Sequence, residues 1–365
     1  MTRTFFILAI LFCFFASGCL RESGEALKIG SKNFTEQKLL AEMLALLAEK
    51  EGLTVSRAIP YGDSRQSLFA IQKGIIDAYP EYSGSLLALN GGFTSHDLDI
   101  RDHAKVIAAV REIIAPLGLQ LLEPFGLNNS FAIAVRRDVA SQYDLSSISD
   151  LARLPESIRV AADEGFLSRS TDGLYAMARR YGLQIGTVQR FPIEERFDIY
   201  NALVEHRVDV AEVFTTDAYL EGYGVTLLED DLGFFPPYEP APLVRSDVLT
   251  ASPRLADAWD ALAGKIDTAA IRQLITRVEQ GGEDYRDVAR DHLQKLGLLP
   301  DTVAPSTPRE ELVLAVNPLS DLGFLPMRAA KAIRQVMPAR RLVVERVAVP
   351  ATAVRDGKAR FGLVG

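Results

Sequence analysis

The stretch LKIGSKNFTEQKLLAEMLALLAEK, residues 27–50, determines how the fold begins. Leu27 to Gly30 has the apolar character of a short strand. After a loop, the apolar residues from about Thr35 to Lys50 recur at helical spacing. One face of this predicted helix carries Leu39, Leu40, Met43, Leu44 and Leu47. A strand followed by a loop and a helix is a typical opening of an α/β fold.

The next segments continue the same alternation. Another strand is predicted near Val55, and SRQSLFAIQKG followed by IIDAYP, residues 64–80, predicts a helix that leads into a strand. A parallel α/β sheet is the simplest arrangement of these units. A second α/β series runs from FAIAV at Phe131 to VDVAEVF at Phe214.

Residues from about 219 to 299 contain one predicted strand, APLVR, and three predicted helices, which are too few strands for an independent sheet. We therefore expect this segment to return and complete the first lobe. The prediction is a two-lobed clamshell in which residues 27–128 and 219–299 form lobe I and residues 129–218 form lobe II. Two crossings would join the lobes, and the cleft between them would enclose a small ligand.

The C-terminal part of the chain repeats the opening order of elements. PDTVAPSTPRE, residues 300–310, has the composition of a linker. Beyond it, LVLAVN, a helical PMRAAKAIRQV, RLVVERVAV, a short helix with DGKA, and RFGLVG repeat the order of strands and helices from LKIGSKN through AIQKGIIDAYP, residues 27–80. Residues 311–365 are therefore predicted to be a partial second α/β module.

The N-terminal residues MTRTFFILAILFCFFASGC are typical of a secretory signal. Arg3 precedes an apolar stretch, Phe5 to Ala16, that is shorter than the ~20 residues of a membrane-spanning helix. We expect residues 1–18 to be a lipoprotein signal peptide, Cys19 to carry a lipid, and residues 19–26 to form a linker. The alternative is an ordinary cleaved signal with an incidental cysteine. Either prediction makes the protein extracytoplasmic, in the periplasm or at the cell surface.

Composition excludes several classes of function. The 365 residues are 48% hydrophobic and carry a formal net charge of −8, which argues against a nucleic-acid partner. Cys13 and Cys19 are the only cysteines, so no internal disulfide is expected after processing. The nucleotide-binding, hydrolase and metalloprotease motifs are absent. The histidines are scattered, so no metal and no cofactor is expected; they are His96, His103, His206 and His292.

Aromatic residues cluster at predicted strand ends and loops, which are the edges that border a cleft. They are Tyr79, Tyr82, Phe131, Phe214 and Tyr238. A quaternary ammonium has no N–H to donate, so a protein holds it between aromatic faces that contribute roughly 0.5–2 kcal/mol each. The alternative for each ring is ordinary core packing.

Five segments occur in an order that resembles a known family. They are GSKNFTEQ, DAYPEYSGS, GLNNSFAIAV, FLSRSTDGL and FFPPYEPAPLVR. Together, from Leu27 to Leu299, they resemble the glycine betaine/choline/carnitine substrate-binding proteins of osmoprotectant ABC transporters, the OpuAC/ProX-like family. The resemblance implies a type II periplasmic-binding-protein fold with the ligand between the lobes, and an importer whose permease and ATPase are separate chains.

The resemblance also assigns ligand contacts to residues of this chain. It implies that Lys32 and Arg169 face a ligand carboxylate, assisted by the hydroxyl of Ser85. The implied cage is Tyr82, Phe131, Phe214 and Tyr238, with Asn129 as a polar contact and Tyr79 as a neighbour. Phe131 and Phe214 stand where the resemblance leads us to expect tyrosines, and Ser85 stands where threonine is common.

The sequence therefore predicts a non-enzymatic, lipid-anchored protein that captures a small quaternary-ammonium solute by closure of its lobes. Two alternatives remain open. In the first, an enzyme reuses the bilobed fold, with Asp77 or Glu81 as its acid or base. In the second, the same fold serves as a sensor or receptor module for another small zwitterion such as an amino acid.

Overall fold

The structure is a computed structural model that describes residues 25–91, 99–220 and 222–301, together with the backbone of three strands farther along the chain. The predicted signal peptide, Cys19 and His96 lie outside the described residues, as does nearly all of the predicted 300–310 linker. Among the described residues, no helix combines the length and the apolar character needed to cross a membrane.

Thirteen strands are described. They are β1 (Leu27–Lys32), β2 (Val55–Gly62), β3 (Ala78–Tyr82), β4 (Leu119–Leu121), β5 (Phe131–Arg136), β6 (Ile158–Asp163), β7 (Ile185–Phe191), β8 (Val210–Phe214), β9 (Val225–Leu228), β10 (Pro240–Arg245), β11 (Glu311–Val316), β12 (Arg341–Arg346) and β13 (Phe361–Gly362).

The α-helices of the described residues alternate with these strands in the first half of each lobe. They are α1 (Thr35–Lys50), α2 (Ser64–Gln72), α3 (Ser83–Leu89), α4 (His103–Ile114), α5 (Arg137–Tyr143), α6 (Glu164–Ser168), α7 (Leu174–Tyr181), α8 (Arg196–Val204), α9 (Ser246–Ala251), α10 (Arg254–Asp260), α11 (Thr268–Glu279) and α12 (Tyr285–Lys295).

Two five-stranded sheets with the same layout form the two lobes. In lobe I the strand order is β2-β1-β3-β10-β4, and in lobe II it is β7-β6-β8-β5-β9. In each sheet the first three strands are parallel and the fourth is antiparallel to both of its neighbours. The chain crosses from lobe I after β4 and returns before β10, which gives the two crossings that the sequence predicted.

The return crossing lies later than predicted. Residues 225–228 form β9, which pairs with β5 from Arg136↔Val225 to Ile133↔Leu228. Lobe II therefore extends to Leu228 and does not end at residue 218. The apolar run VTLL is only four residues long, and its membership of lobe II depends on a pairing partner about 90 positions earlier in the chain.

The segment that returns to lobe I buries the first helix on a second side. Leu39 to Ala48 are all buried, including residues that the helical pattern placed away from the predicted face. Helices α10, α11 and α12 supply this cover, and the indole N–H of Trp259 donates to the carbonyl of Leu44 at 2.9 Å. The segment contains four helices where three were predicted, because Pro253 separates α9 from α10.

The three C-terminal strands repeat the pairing of the first three. Their order is β12-β11-β13, all parallel, and it corresponds to β2-β1-β3 in lobe I. Glu311 aligns with Arg341 as Leu27 aligns with Val55. The backbone pairing of these strands therefore follows the repeat visible in the sequence, and the assignment of residues 311–365 as a second module stays a prediction.

Candidate functional site

A cleft of about 510 Å³ is lined by residues of both lobes. All eight residues that the sequence predicted as ligand contacts line it, namely Lys32, Tyr82, Ser85, Asn129, Phe131, Arg169, Phe214 and Tyr238. Tyr79 does not line the cleft: it is fully buried in the core of lobe I. The structure therefore gathers the predicted set at one place.

Strand ends bring these side chains together. Lys32 ends β1 and Tyr82 ends β3, two parallel strands of the same sheet, so both lie at the edge where their carboxyl ends meet. In lobe II, Phe214 ends β8 and Phe131 begins the antiparallel strand β5. Opposite chain directions thus place the start of one strand beside the end of the other.

A continuous row of rings crosses the cleft. Ring centroids are 5.2 Å apart for Tyr238 and Phe131 and 5.4 Å for Phe131 and Phe214. Phe34 continues the row, at 5.9 Å from Phe214 and 6.3 Å from Tyr82. Phe34 lies within the segment GSKNFTEQ but was not among the predicted ligand contacts. It links the two rings of lobe II to Tyr82 of lobe I.

Phe166 is a second aromatic residue that the sequence prediction missed. It lines the cleft, and its ring centroid is 4.8 Å from that of Phe131. The side chain of Asp163 caps the short helix α6 and accepts a hydrogen bond from the backbone N–H of Phe166 at 2.8 Å. Phe166 is the first residue of the segment FLSRSTDGL that carried the family resemblance, and this was the available signal.

Tyr238 depends on a glycine and on the first crossing for its position. A Cβ atom at Gly84 would lie 2.7 Å from two ring atoms of Tyr238, so only glycine admits the ring at this distance. The backbone N–H of Tyr238 donates to the side chain of Asn128 at 2.8 Å, and its carbonyl accepts from the N–H of Asn129 at 3.0 Å. The two crossings are therefore hydrogen-bonded to each other beside the cleft.

Lys32 is paired with a buried acid. Its ammonium donates to Oε1 of Glu81, and only 4% of Lys32 is exposed. Glu81 also accepts from the N–H of Tyr82 at 2.7 Å and from the hydroxyl of Tyr79 at 3.0 Å. Burial lowers the pKa of Lys32, although the charge of Glu81 acts in the opposite direction. Tyr79 therefore supports the site from behind Glu81.

Arg169 has the same kind of partner. Its guanidinium donates from Nε to Oδ1 of Asp172 at 2.8 Å and from a terminal nitrogen to Oδ2. Its central carbon lies 5.4 Å from the ring of Phe131 and 5.6 Å from that of Tyr238. Lysine has three N–H donors and arginine five, so both residues keep donors beyond those that reach their own carboxylates.

The remaining two predicted residues occupy the wall of lobe I and the first crossing. Ser85 lies in α3 and is 5% exposed. Asn129 donates from Nδ2 to Oε1 of Glu36 at 3.0 Å, and the same oxygen accepts from the hydroxyl of Tyr82 at 2.7 Å. Burial raises the pKa of Glu36. Sequence inspection missed Glu36, because its partners lie in other segments.

Behind Phe214 lies a buried charge cluster. The guanidinium carbon of Arg196 is 3.8 Å from the centroid of the Phe214 ring. The same side chain forms ion pairs with Asp163, Glu212 and Asp217. Three carboxylates around one cation leave an excess of negative charge, and burial raises the pKa of Glu212 to about 8. Through Arg196, the cluster packs against the ring of Phe214 and holds that ring in position.

Asp77 and Glu81, either of which was suggested as the acid or base of an enzyme, are not placed together as a catalytic pair. Asp77 lies just before β3 and accepts from the N–H of Lys28 at 2.8 Å. Glu81 is four residues farther along, which corresponds to roughly 13 Å of strand. Paired carboxylates in glycosidases are at most about 9.5 Å apart. Among the described residues, no group of three or more histidine, cysteine or acidic side chains is arranged to hold a metal ion.

Two α/β lobes of the same layout, two crossings and a ligand-sized cleft define the class of type II periplasmic binding proteins. A family model described as the substrate binding domain of the ABC-type glycine betaine transport system matches residues 25–295, and the chain belongs to that family. The fold and the family that the sequence resemblance implied are thus confirmed.

Individual relatives agree with the family match. A glycine-betaine-binding protein of Pseudomonas aeruginosa is 31% identical over 79% of this chain and 92% of its own length. A carnitine transport binding protein of Listeria monocytogenes is 28% identical over 80% and 95%. A solved structure titled as a glycine betaine/carnitine/choline ABC transporter matches with a TM-score of 0.61 and 26% identity, over 74% of this chain and 99% of that one.

Proposed function

We propose that this protein captures a small quaternary-ammonium osmoprotectant, such as glycine betaine, choline or a related betaine, and delivers it to an ABC permease. The row of rings from Tyr82 through Phe34, Phe214 and Phe131 to Tyr238 is the observation that carries the proposal. Aromatic faces attract a cation that has no N–H to donate. The names of the relatives support the same class of ligand.

In the proposed complex the rings surround the trimethylammonium group, and Asn129 makes a polar contact to it. The remaining N–H donors of Lys32 and Arg169, with the hydroxyl of Ser85, hold the carboxylate of a betaine. Lys32 and Ser85 belong to lobe I and Arg169 to lobe II. A ligand that binds both lobes stabilises the closed form, in which the permease recognises the protein.

A thermal-shift screen tests the ligand class. Glycine betaine, proline betaine, choline and carnitine are compared with ordinary amino acids, and at least one quaternary ammonium compound is expected to raise the unfolding temperature. Stabilisation by an unmethylated amino acid alone would contradict the proposal. No product is expected from any stabilising compound, because the proposed function is binding without turnover.

The proposal includes an extracytoplasmic location with a lipid anchor at Cys19. The apolar stretch and the small residues before Cys19 support it. Expression of the Cys19→Ser variant is expected to move the protein from the membrane fraction to the soluble extracytoplasmic fraction. Retention of the variant in the membrane fraction would contradict the anchor.

A sensor or receptor role is the second candidate. The strand order β12-β11-β13, which repeats β2-β1-β3, favours it, because these strands lie beyond residues 25–295, which the family model matches. A variant that ends at Asp301 distinguishes the two functions. Transport predicts that its ligand affinity stays within about twofold of the full chain, whereas a loss of binding would favour a role that depends on the C-terminal residues.

A further inference from the structure

Both tyrosines of the ring row donate their hydroxyls to buried carboxylates. The hydroxyl of Tyr82 donates to Oε1 of Glu36 at 2.7 Å, and that of Tyr238 donates to Oδ2 of Asp172. Glu36 is 2% exposed and Asp172 is 0% exposed. Each tyrosine ring therefore has a carboxylate fixed at its rim, out of contact with bulk water.

This arrangement changes the rings as well as their positions. A phenol that donates to a carboxylate shifts electron density from its O–H bond toward oxygen and ring, so the ring face becomes more negative. A cation over that face is attracted by the quadrupole of the ring and by the charge behind it. The weak screening of a buried site strengthens both contributions. The proton stays on the phenols, because burial raises the pKa of Tyr82 and Tyr238 well above the usual value.

The two carboxylates are not equivalent. Asp172 also accepts from the guanidinium of Arg169, so that cation balances its charge. Glu36 accepts from neutral groups: the hydroxyl of Tyr82, the amide of Asn129 and the side chain of Thr216.

Among the described residues no cation forms an ion pair with Glu36, and the ammonium of Lys32, 4.6 Å from the centroid of the Tyr82 ring, pairs with Glu81. Burial raises the pKa of Glu36, whereas a bound cation beside Tyr82 acts in the opposite direction and favours the ionised carboxylate.

We propose that Glu36 is a specificity-determining residue that acts through Tyr82. Its charge makes the face of this ring bind a cation in preference to a neutral group of the same shape. Asp172 has the same relationship to Tyr238 in weaker form. The inference rests on the proposed function, since it requires a quaternary ammonium beside Tyr82. It also gives a reason why the cleft binds a cation although Phe131 and Phe214 lack hydroxyls.

Calorimetric titration of the full chain with isosteric ligands tests the inference. Choline is paired with 3,3-dimethylbutan-1-ol, and glycine betaine with 3,3-dimethylbutanoate; in each pair carbon replaces the charged nitrogen. The readout is the selectivity, the Kd of the carbon compound divided by that of the cation, for the pair whose cation binds more tightly. Glu36→Gln keeps the length and a carbonyl acceptor and removes the charge.

The expected result is a selectivity at least fivefold lower in Glu36→Gln than in the unmodified protein, with the affinity for the carbon compound changed less than twofold. Tyr82→Phe, which keeps the ring and breaks its link to Glu36, is expected to lower the selectivity in the same direction. It also tests the inference if Glu36→Gln fails to fold. In the Tyr82→Phe background, Glu36→Gln is expected to have a smaller effect than it has alone.

Glu42→Gln is the matched control. Glu42 is a glutamate on the same helix, is also 2% exposed, and pairs with Arg57 outside the cleft. Its substitution is expected to lower stability and leave the selectivity unchanged. Equal weakening of cation and carbon compound in Glu36→Gln, or no change in either, would overturn the inference alone. Failure of the unmodified protein to bind both cations would overturn the proposed function, and the inference with it.

Discussion

Phe131 and Phe214 lie directly opposite each other on neighbouring antiparallel strands, and their ring centroids are 5.4 Å apart. Lobe II thus contributes its two rings of the cleft as one cross-strand pair. Such pairs stabilise each other's position in a sheet. Arg196 packs against Phe214, and Phe166 lies 4.8 Å from Phe131, so the pair is held on both flanks.

Substitution of Phe214 by leucine is expected to weaken binding of a quaternary ammonium roughly 2- to 30-fold. Leucine keeps most of the apolar volume, but it removes a ring face worth roughly 0.5–2 kcal/mol to a bound cation. Calorimetric titration measures the effect, with thermal unfolding to check the fold.

Phe69→Leu is the control for this substitution. Phe69 lies on α2, is 55% exposed, and does not line the cleft. Its replacement is expected to leave affinity unchanged. If the two variants bind equally well, Phe214 is not part of a cation site.

Removal of the charges of Arg169 and Asp172 together is expected to distinguish betaines from choline. The double variant Arg169→Met/Asp172→Asn avoids leaving one buried charge without its partner. Glycine betaine, which has a carboxylate, is expected to lose at least tenfold in affinity, because charge-assisted hydrogen bonds contribute roughly 1.5–3 kcal/mol each. Choline is expected to lose less than about threefold.

The control is Arg159→Met/Asp209→Asn, which removes another arginine and aspartate pair of lobe II at the surface. It should alter neither affinity. Equal losses of affinity for glycine betaine and choline in the Arg169 and Asp172 double variant would show that Arg169 does not bind a ligand carboxylate.

Glu212 is expected to make stability depend on pH. Its pKa of about 8 in the folded protein exceeds the value of 4.5 for an ordinary glutamate. The folded state therefore holds the proton more tightly, so this stabilisation is complete below about pH 4.5 and is lost as the pH rises through about 8. Within that window the free energy of unfolding should fall by about 1.4 kcal/mol per pH unit from this group.

Denaturant unfolding between pH 5.5 and 8.5 checks this dependence. Glu212→Gln resembles the protonated acid and is expected to show a flatter profile than the unmodified protein. Substitution of the exposed Glu156 by glutamine should leave the original profile unchanged. Parallel profiles for Glu212→Gln and the unmodified protein would mean that Glu212 is already ionised at neutral pH.

The sequence predicted what local patterns determine. The pattern of aromatics at strand ends and loops selected Tyr82, Phe131, Phe214 and Tyr238, which line the cleft, but also Tyr79, which is buried in the core of lobe I. Lys32 was selected by the family resemblance. The helical pattern identified the face of α1, but not its second buried side. That side is covered by helices of the returning segment. One of their residues, Trp259, donates a hydrogen bond to the carbonyl of Leu44, 215 positions earlier in the sequence.

Pairings between distant segments were beyond prediction from one sequence. Glu36 contacts Tyr82 and Asn129, which are 46 and 93 residues away, so its spacing carries no signal. The same applies to β9, whose four residues gain their place only by pairing with β5. Phe34 lies within the segment GSKNFTEQ, yet the position of one aromatic residue after a strand does not show which other rings it will contact.

The most direct test of the quaternary-ammonium site is the dependence of affinity on N-methylation. Two series are titrated by calorimetry: glycine, sarcosine, dimethylglycine and glycine betaine, and ethanolamine with its methylated forms up to choline. Rings attract the methylated cation, whereas an N–H buried among them loses its hydrogen bonds to water. In at least one series, the trimethylated compound is expected to bind at least 100-fold more tightly than the unmethylated one, about 2.7 kcal/mol. Equal affinities, or tighter binding of the unmethylated compound in both series, would contradict the account.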